Sequence, residues 1–328
     1  MKTKTIAAII HEKDAPFSFE EVELDEPRSN EVLVRMVATG LCHTDLSVRS
    51  GVIPFPLPGV VGHEGAGVVE AVGSAVQRVK PGDHVLASFT SCGHCSNCLA
   101  GHPAYCLSFL PLNLLGGVRT DGSHTIEQND KPLNAHFFGQ SSLARHALID
   151  ERSLVKVNSD APLEMLAPLG CGIQTGAGAV LNVLRPEPGS SLAVFGIGGV
   201  GLAAIMAANL SAAGRIIAVD LVPSRLSLAR ELGATDTIDA RSTNAVEILM
   251  ELTSGKGVNY TIEATGSTRV LSQAIQVLAP LGTCAVIGAP LVGSTVPFDV
   301  NFLLNGRRIV GITEGDSDPE QFIPALVR

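Results

Sequence analysis

The feature that most constrains this chain is an alternation running through its second half. Leu192-Ala193-Val194-Phe195 is a compact apolar run, Val200–Leu210 a small-residue helix pattern, and Ile216–Asp220 a second apolar run. The helix candidate Ser224–Leu232, the short strand Thr237-Ile238 and the helix candidate Ala245–Leu252 follow. The run Tyr260–Glu263, the helix candidate Thr268–Leu278 and the strand Thr283–Ile287 complete the series. Strand and helix alternate every ~20–25 residues, the βαβ rhythm that predicts a parallel, doubly wound sheet.

A glycine loop sits at the first strand-to-helix turn of that series. Gly196-Ile197-Gly198-Gly199-Val200-Gly201 fits G-x-G-x-x-G. The first Gly permits the tight turn, the second lets backbone N–H groups approach a pyrophosphate, and the third lets helix and strand pack closely. Asp220 lies 19 residues after Gly201, at the end of the next apolar run, where a carboxylate accepts hydrogen bonds from an adenosine ribose. Its charge repels a 2′-phosphate, so NAD is expected over NADP. The plain alternative is a glycine-rich turn beside a surface Asp. Arg225 fits alongside the adenosine, and equally fits an exposed helix position.

The first half has a different texture. From Lys4 to about Gly101 it reads as short alternating or β-branched runs, Ile6–Ile10, Phe17–Val22, Glu31–Val37, Gly67–Val72 and Asp83–Ala87, punctuated by Gly and Pro. A β-rich domain is expected there. Between Leu107 and Phe138 the pattern weakens into a long excursion. At roughly 100–200 residues per domain, 328 residues favour two domains, and 45% apolar against 17% charged residues supply a full core. With Lys plus Arg at 23 and Asp plus Glu at 32, the net charge of −9 argues against a nucleic-acid partner. No apolar run reaches the roughly 18 residues needed to span a bilayer, and the N-terminus carries no secretory pattern, so a cytoplasmic location is expected.

Seven cysteines, an odd number, fit a disulfide framework poorly. Cys92, Cys95, Cys98 and Cys106 read C-x2-C-x2-C-x7-C, four thiolates folded back within fifteen residues, which suits a closed tetrahedral zinc site. An iron–sulfur cluster is the alternative, although the bacterial run places its fourth Cys after three residues rather than seven. His94 and His102 are expected at the surface. A four-Cys site has no open position, so its expected role is structural. Cys42, His63-Glu64 and Cys171 are scattered, and spacing alone does not join them.

Together these stretches resemble the zinc-dependent, medium-chain alcohol dehydrogenases. Cys42-His43-Thr44-Asp45, Gly62-His63-Glu64-Gly65-Ala66-Gly67, the four-Cys loop, Gly170-Cys171-Gly172 and Gly196–Gly201 occur in that family's order and approximate spacing. Leu57–Gly67, Phe138–Ser142 and Pro168–Gly176 are similar to the aryl-alcohol (benzyl-alcohol) dehydrogenase branch, which also takes allylic alcohols such as geraniol. The resemblance implies a GroES-like β-rich catalytic domain over residues 1–160, a Rossmann NAD-binding domain over 161–312, and a return segment over 313–328. Family chains run some tens of residues past Arg328, so the return segment is expected to be incomplete, through truncation or as a natural short form.

The resemblance further implies two zinc ions per chain. Cys42, His63 and Cys171 would bind the catalytic one, leaving a position for water or substrate oxygen. Zinc would then lower the alcohol's pKa so that hydride can leave for nicotinamide. Thr44 would take the hydroxyl proton, Asp45 would fix His63, and Glu64 would stand near the metal. His43 would sit by the pyrophosphate, Thr175 by the nicotinamide, and Gly288 and Ala289 by its amide. Ser47 stands where several relatives end the proton relay with His. Phe89, Phe137 and Phe138 match aromatic positions around the family's substrate channel, with core packing as the alternative for each. Cys284 reads as a buried strand residue. A homodimer is the expected assembly, with a tetramer next. The competing functions are a polyol or formaldehyde dehydrogenase on the same framework and a zinc-stabilised dinucleotide-binding protein without turnover.

Overall fold

The computed structural model describes residues 2–328. It divides into two compact units, Met1–Cys171 with Asp318–Arg328, and Gly172–Ser317. The first unit contains β1 (Thr3–Ile10), β2 (Ser18–Leu24), β3 (Glu31–Thr39), β4 (Gly59–Val60) and β5 (Gly65–Val72). It continues with β6 (His84–Ala87), β7 (Ile126–Gln128), β8 (Lys131–Leu133), β9 (His146–Asp150) and β10 (Leu154–Val157). These form two five-stranded sheets, ordered β4-β1-β2-β7-β8 and β10-β6-β5-β3-β9. Each strand-like run of the first half becomes a strand, with ends shifted by a few residues.

Alternation places the core. Ala7 and Ile9 of β1 join Val22 and Leu24 of β2 in one apolar cluster, while Val32 and Val34 of β3 pack with Val69, Val85 and Ile149 in another. The register of β3 and β5 sets the ends that matter for chemistry. Val32 stands opposite Val72 and Thr39 opposite Gly65, so the residues just beyond β3 and just before β5 emerge at the same end. The pairing of β5 with β6, Ala66 opposite Leu86, brings Ser88 there as well.

The excursion from Leu107 to Phe138 is more ordered than its sequence suggests. Ile126–Gln128 and Lys131–Leu133 form a hairpin that adds to β2, with Glu23 opposite Glu127. Arg119 fixes the preceding turn: its Nε and Nη2 reach the two carboxylate oxygens of Glu31 at 2.6 and 2.9 Å, and its Nη1 reaches Asp25 at 2.9 Å. Removing one partner of so buried a pair costs roughly 3–5 kcal/mol, because the other charge is left uncompensated. Contacts of this kind join residues far apart in sequence, which is why local pattern shows no trace of them.

The second unit holds β11 (Ser191–Phe195), β12 (Arg215–Asp220), β13 (Asp236–Asp239), β14 (Val258–Glu263), β15 (Leu278–Val286) and β16 (Arg308–Gly311). All pair in parallel, in the order β13-β12-β11-β14-β15-β16, so the doubly wound sheet expected from the alternation is present. The strand order reverses between β11 and β14, the switch point where such sheets bind ligands. The helix Gly199–Leu210 buries Ala203, Ala204, Ile205, Ala207 and Ala208, small residues that let it lie close to the sheet. The helix expected over Thr268–Leu278 stops at Gln276, because Leu278 already begins β15. Cys284 is fully buried in β15, as read from its apolar run.

Candidate active site

Beyond the ends of β3 and β5, the chain of the first unit gathers a set of metal donors. Cys42, His63, Glu64 and Cys171 each offer one ligand atom, and these atoms all lie within 4.8 Å of one another. Gly40 N–H donates to the Glu64 carbonyl at 2.9 Å, extending the β3–β5 pairing one step and tying the two segments together. Cys42 precedes the helix His43–Arg49 and Cys171 ends the turn Ala167–Gly170. Three separate segments thus supply three soft or borderline donors, a set suited to zinc.

Asp45 organises this cluster. Its Oδ2 accepts the Cys42 N–H at 2.9 Å, and its Oδ1 accepts the Gly62 N–H at 2.9 Å and lies 3.1 Å from His63 Nδ1. That bond makes Nδ1 the protonated ring nitrogen and leaves Nε2 as the acceptor. Nε2 is buried and has no nitrogen or oxygen partner. An imidazole nitrogen buried beside two thiols, with no nitrogen or oxygen to pair with, is an arrangement that a cation completes, so the residues present fit a metal.

The electrostatics agree. Cys171 beside the Cys42 thiol, and then His63 and Thr44, draw Cys42 down to about 3 against the opposing effect of burial. Burial pushes the His63 imidazole toward neutrality, but the charge and hydrogen bond of Asp45 outweigh it and hold His63 well above its ordinary value.

The remaining residues expected at this centre occupy definite places. Cys42 Sγ and Thr44 Oγ1 are hydrogen-bonded at 3.5 Å, and Thr44 is half-buried in the first helical turn, next to exposed His43. Phe138 stacks on the His63 ring with centroids 4.5 Å apart, and Phe137 meets the same ring edge-on at 5.5 Å. Phe89 packs at 5.9 Å from Phe109, which in turn reaches Phe138 at 6.2 Å. All three expected phenylalanines are buried in one cluster with Ile10, Val48 and Phe55. Phe137 has no exposed surface, so it backs the ring of His63 from within the core. Sequence reasoning assigned no role to Gln140 or Ser88, whose side chains touch the backbone of this centre.

The four-thiol loop forms a second cluster. Cys92, Cys95, Cys98 and Cys106 again fall within 4.8 Å. Cys95 and Cys98 sulfurs are 3.5 Å apart and Cys92 and Cys98 sulfurs 3.9 Å, bracketing the edge of about 3.8 Å that a tetrahedron with Zn–S near 2.3 Å requires. Backbone N–H groups of Cys95, Cys92 and Ser108 point at the sulfurs of Cys92, Cys106 and Cys106, the N–H···S pattern of a thiolate knuckle. The Leu107 backbone N–H draws Cys95 down to about 6, while burial pushes Cys98 up to about 12. Four sulfurs this close fit a central cation. His94 and His102 are exposed, as expected.

In the second unit the glycine loop follows β11. Gly196 takes φ +92°, and a Cβ on Gly201 would stand 2.0 Å from the Gly196 carbonyl, so both positions require glycine. At Gly198 and Gly199 a Cβ would meet nothing within 4 Å, which leaves their backbone open to a phosphate group ahead of Val200 and the helix. Asp220, at the end of β12, does more than its spacing suggests. Its Oδ2 accepts the Ile197 N–H at 2.6 Å and its Oδ1 the Val222 N–H at 2.8 Å, so it braces the loop. Arg225 Nη1 lies 3.9 Å from Asp220 Oδ2, with the side chain half-exposed. Thr175 is buried in the helix Gly172–Gly178, and Gly288 and Ala289 follow β15, where the Gly288 N–H donates to the Glu263 carbonyl at 2.9 Å.

Residues 28–159 match the family described as "Alcohol dehydrogenase GroES-like domain", and residues 199–328 match "Zinc-binding dehydrogenase". A geraniol dehydrogenase of Castellaniella defragrans is 44% identical over 322 residues, covering 98% of this chain and 86% of that protein. The crystal structure of benzyl alcohol dehydrogenase from Acinetobacter calcoaceticus is 47% identical, with a TM-score of 0.95, over 99% of this chain and 88% of that one. An alcohol dehydrogenase zinc-binding domain protein from Burkholderia ambifaria is 53% identical, with a TM-score of 0.97, over 100% of this chain and 88% of its own. With a β-rich unit that gathers thiols and an imidazole, a parallel-sheet unit that carries the glycine loop, and relatives similar along nearly its whole length, this chain belongs to the zinc-dependent medium-chain alcohol dehydrogenases.

Proposed function

We propose that this enzyme interconverts primary aryl or allylic alcohols, of the benzyl alcohol and geraniol type, and their aldehydes, using NAD and two zinc ions per chain. The observation that carries the reading is the buried Nε2 of His63, which has no nitrogen or oxygen partner and is gathered with the thiols of Cys42 and Cys171. The substrate class follows from the similarity to a geraniol dehydrogenase and a benzyl alcohol dehydrogenase.

Cys42, His63 and Cys171 would hold the catalytic zinc, with Glu64 beside it; Cys92, Cys95, Cys98 and Cys106 would hold the structural one. Bound in these sites, the metal would supply Lewis acidity and NAD would serve as the hydride acceptor. Asp45 keeps the proton on Nδ1 of His63, so that Nε2 stays a donor to metal. Thr44 would take the substrate's hydroxyl proton, with Ser47, water or His43 next in line to solvent. Phe89 and Phe138 are the aromatic groups we assign to the side of a flat substrate, and Phe137, fully buried behind them, keeps water from the His63 ring. Gly196–Gly201 receives the pyrophosphate, with His43 near it. Asp220 receives the adenosine ribose with Arg225 alongside. Thr175, Gly288 and Ala289 receive the nicotinamide.

A homodimer is the proposed assembly. β16 is one of the two edges of the six-stranded sheet among the described residues, and the segment leading into it exposes Val300 and Leu304, which suits pairing with a second copy. Free thiols throughout suit a reducing, cytoplasmic location.

The test is metal analysis together with NAD reduction across benzyl alcohol, geraniol, ethanol, sorbitol, and formaldehyde with glutathione. About two zinc per chain, with highest kcat/KM for benzyl alcohol or geraniol, is expected. Preference for sorbitol or for the glutathione adduct overturns the substrate class. NADH binding without turnover on any alcohol overturns the activity.

A further inference from the structure

The β5–β6 ladder stops with Ala66 opposite Leu86, yet His63 and Ser88 lie just past its end, where the chemistry is. Something other than sheet pairing must hold those two backbones at a fixed separation. A single side chain does so. Gln140 Nε2 donates to the His63 carbonyl at 3.1 Å and to the Ser88 carbonyl at 3.0 Å, while its Oε1 accepts the Gly65 N–H at 3.2 Å. The amide thus grips the chain on both sides of Glu64 and bridges it to the continuation of β6. From there the Ser88 hydroxyl donates to the Gly170 carbonyl at 2.7 Å, one residue before Cys171.

We propose that Gln140, acting with Ser88, is a positioning residue for the catalytic centre: the amide and the hydroxyl set the separation between the segment that carries His63 and the segment that carries Cys171. The inference rests on the reading of Cys42, His63 and Cys171 as zinc ligands. It follows from chemistry as well as distance. Both side chains are buried, so every polar atom must be matched. The three bonds require two donors and one acceptor on one planar group, which an amide supplies. A carboxylate would set an oxygen against two carbonyl oxygens, and a thioether or alkyl chain would leave two carbonyls and one N–H unmatched.

The loop that presents Gln140 is built for the task. His136, Phe138 and Ser141 adopt positive φ angles of 105°, 54° and 49°, uncommon for residues with side chains. Ser141 Oγ holds this shape by accepting the His136 and Phe137 N–H groups at 2.8 and 2.9 Å and donating to the Val60 carbonyl at 2.6 Å. The same loop stacks Phe138 on the His63 ring. His63 is therefore held at its ring face by Phe138, at Nδ1 by Asp45 and at its carbonyl by Gln140.

The experiment compares wild type, Gln140→Met, Gln140→Glu and Ser88→Ala in the full chain. Each protein is loaded with zinc or with cobalt, and four readouts are taken: metal release to a chelator, the cobalt absorption spectrum, kcat and KM, and thermal unfolding. In Gln140→Met and Gln140→Glu one metal should leave about 10–100-fold faster, the scale typical of lost outer partners of metal ligands, while the four-Cys metal leaves at the wild-type rate. The cobalt spectrum should shift, and kcat should fall at least tenfold with KM for NAD unchanged. Ser88→Ala, which removes one hydroxyl, should move the same readouts in the same direction by less. A lower unfolding temperature with unchanged release rate and unchanged cobalt spectrum makes Gln140 an ordinary core residue and overturns the proposal. If both Gln140 variants fail to fold, Ser88→Ala decides on the same two readouts. Wild-type protein that takes up no metal at the Cys42–His63–Cys171 centre overturns the zinc reading itself and this inference with it.

Discussion

Asp45 Oδ1 and His63 Nδ1 meet at 3.1 Å in a place where neither side chain has any exposed surface. The same carboxylate takes the N–H groups of Cys42 and Gly62, so it binds the start of a helix, a turn and a ligand ring into one unit. Asp45→Asn keeps the shape but sets an amide where a charged acceptor served three donors. Metal affinity at the Cys42–His63–Cys171 centre should fall about 10–100-fold, with kcat/KM falling in parallel. Competition with a chromophoric chelator measures it. Wild-type affinity in the variant would reduce Asp45 to a helix cap.

The four-thiol cluster should matter for stability rather than chemistry. Cys98→Ser removes one sulfur from a set with no spare ligand, and the loop Cys92–Cys106 then loses its cross-link. Unfolding temperature should drop by several degrees, zinc content by about one per chain, and the kcat of the remaining folded enzyme should stay within about twofold of wild type. Calorimetry with metal analysis tests this; an unchanged unfolding temperature would argue that the thiols hold no metal.

How much of this was legible in the sequence depends on distance along the chain. The βαβ alternation, the glycine loop and the C-x2-C-x2-C-x7-C run are local, and they appear in the structure where the residues place them. The gathering of Cys42, His63 and Cys171 is not local; it depends on the register that sets Thr39 opposite Gly65, and only resemblance to a family joined those positions beforehand. Gln140 is legible only as part of the Phe138–Ser142 resemblance and Ser88 not at all, because a buried amide between two backbones has no spacing rule. The hairpin within Leu107–Phe138 was missed for a related reason: its strands are three residues each, too short for alternation to register. Asp220 was legible by spacing, but its bond to Ile197 was not.

Cys284 provides a pH test. Burial pushes its thiol up to about 11, whereas an exposed thiol ionises near 9.0. Between those values the unfolded chain has released a proton that the folded chain keeps. The stability contribution is therefore complete below about pH 9 and is lost as pH rises toward 11. The loss amounts to about 1.4 kcal/mol by pH 10 and about 3 kcal/mol in full. Cys284→Ala lacks this component, so the difference in urea unfolding free energy between wild type and variant should shrink or reverse from pH 8 to pH 10. A constant difference across that range would show that the thiol is not shielded. At pH 8, alkylation of the native chain should leave Cys284 untouched.

We expect cofactor choice to turn on Asp220. Its carboxylate accepts the Ile197 and Val222 N–H groups and lies near Arg225, so it both braces the glycine loop and sets the charge where an adenosine ribose would lie. Two effects should therefore separate in variants. Asp220→Asn keeps an acceptor for the loop but removes the charge that repels a 2′-phosphate; the ratio of kcat/KM with NAD to that with NADP should fall about 10–100-fold, the worth of one charged hydrogen bond. Asp220→Ala also frees Arg225 to meet the phosphate, but it leaves the Ile197 N–H unmatched, so activity with NAD should fall further than in the Asn variant. Adding Arg225→Ala to Asp220→Ala should return NADP activity toward the wild-type level if Arg225 is the group that accepts the phosphate. Steady-state kinetics with both cofactors on the four proteins measures each step. Equal use of NAD and NADP by the wild type would place discrimination elsewhere and leave Asp220 as a brace for the loop alone.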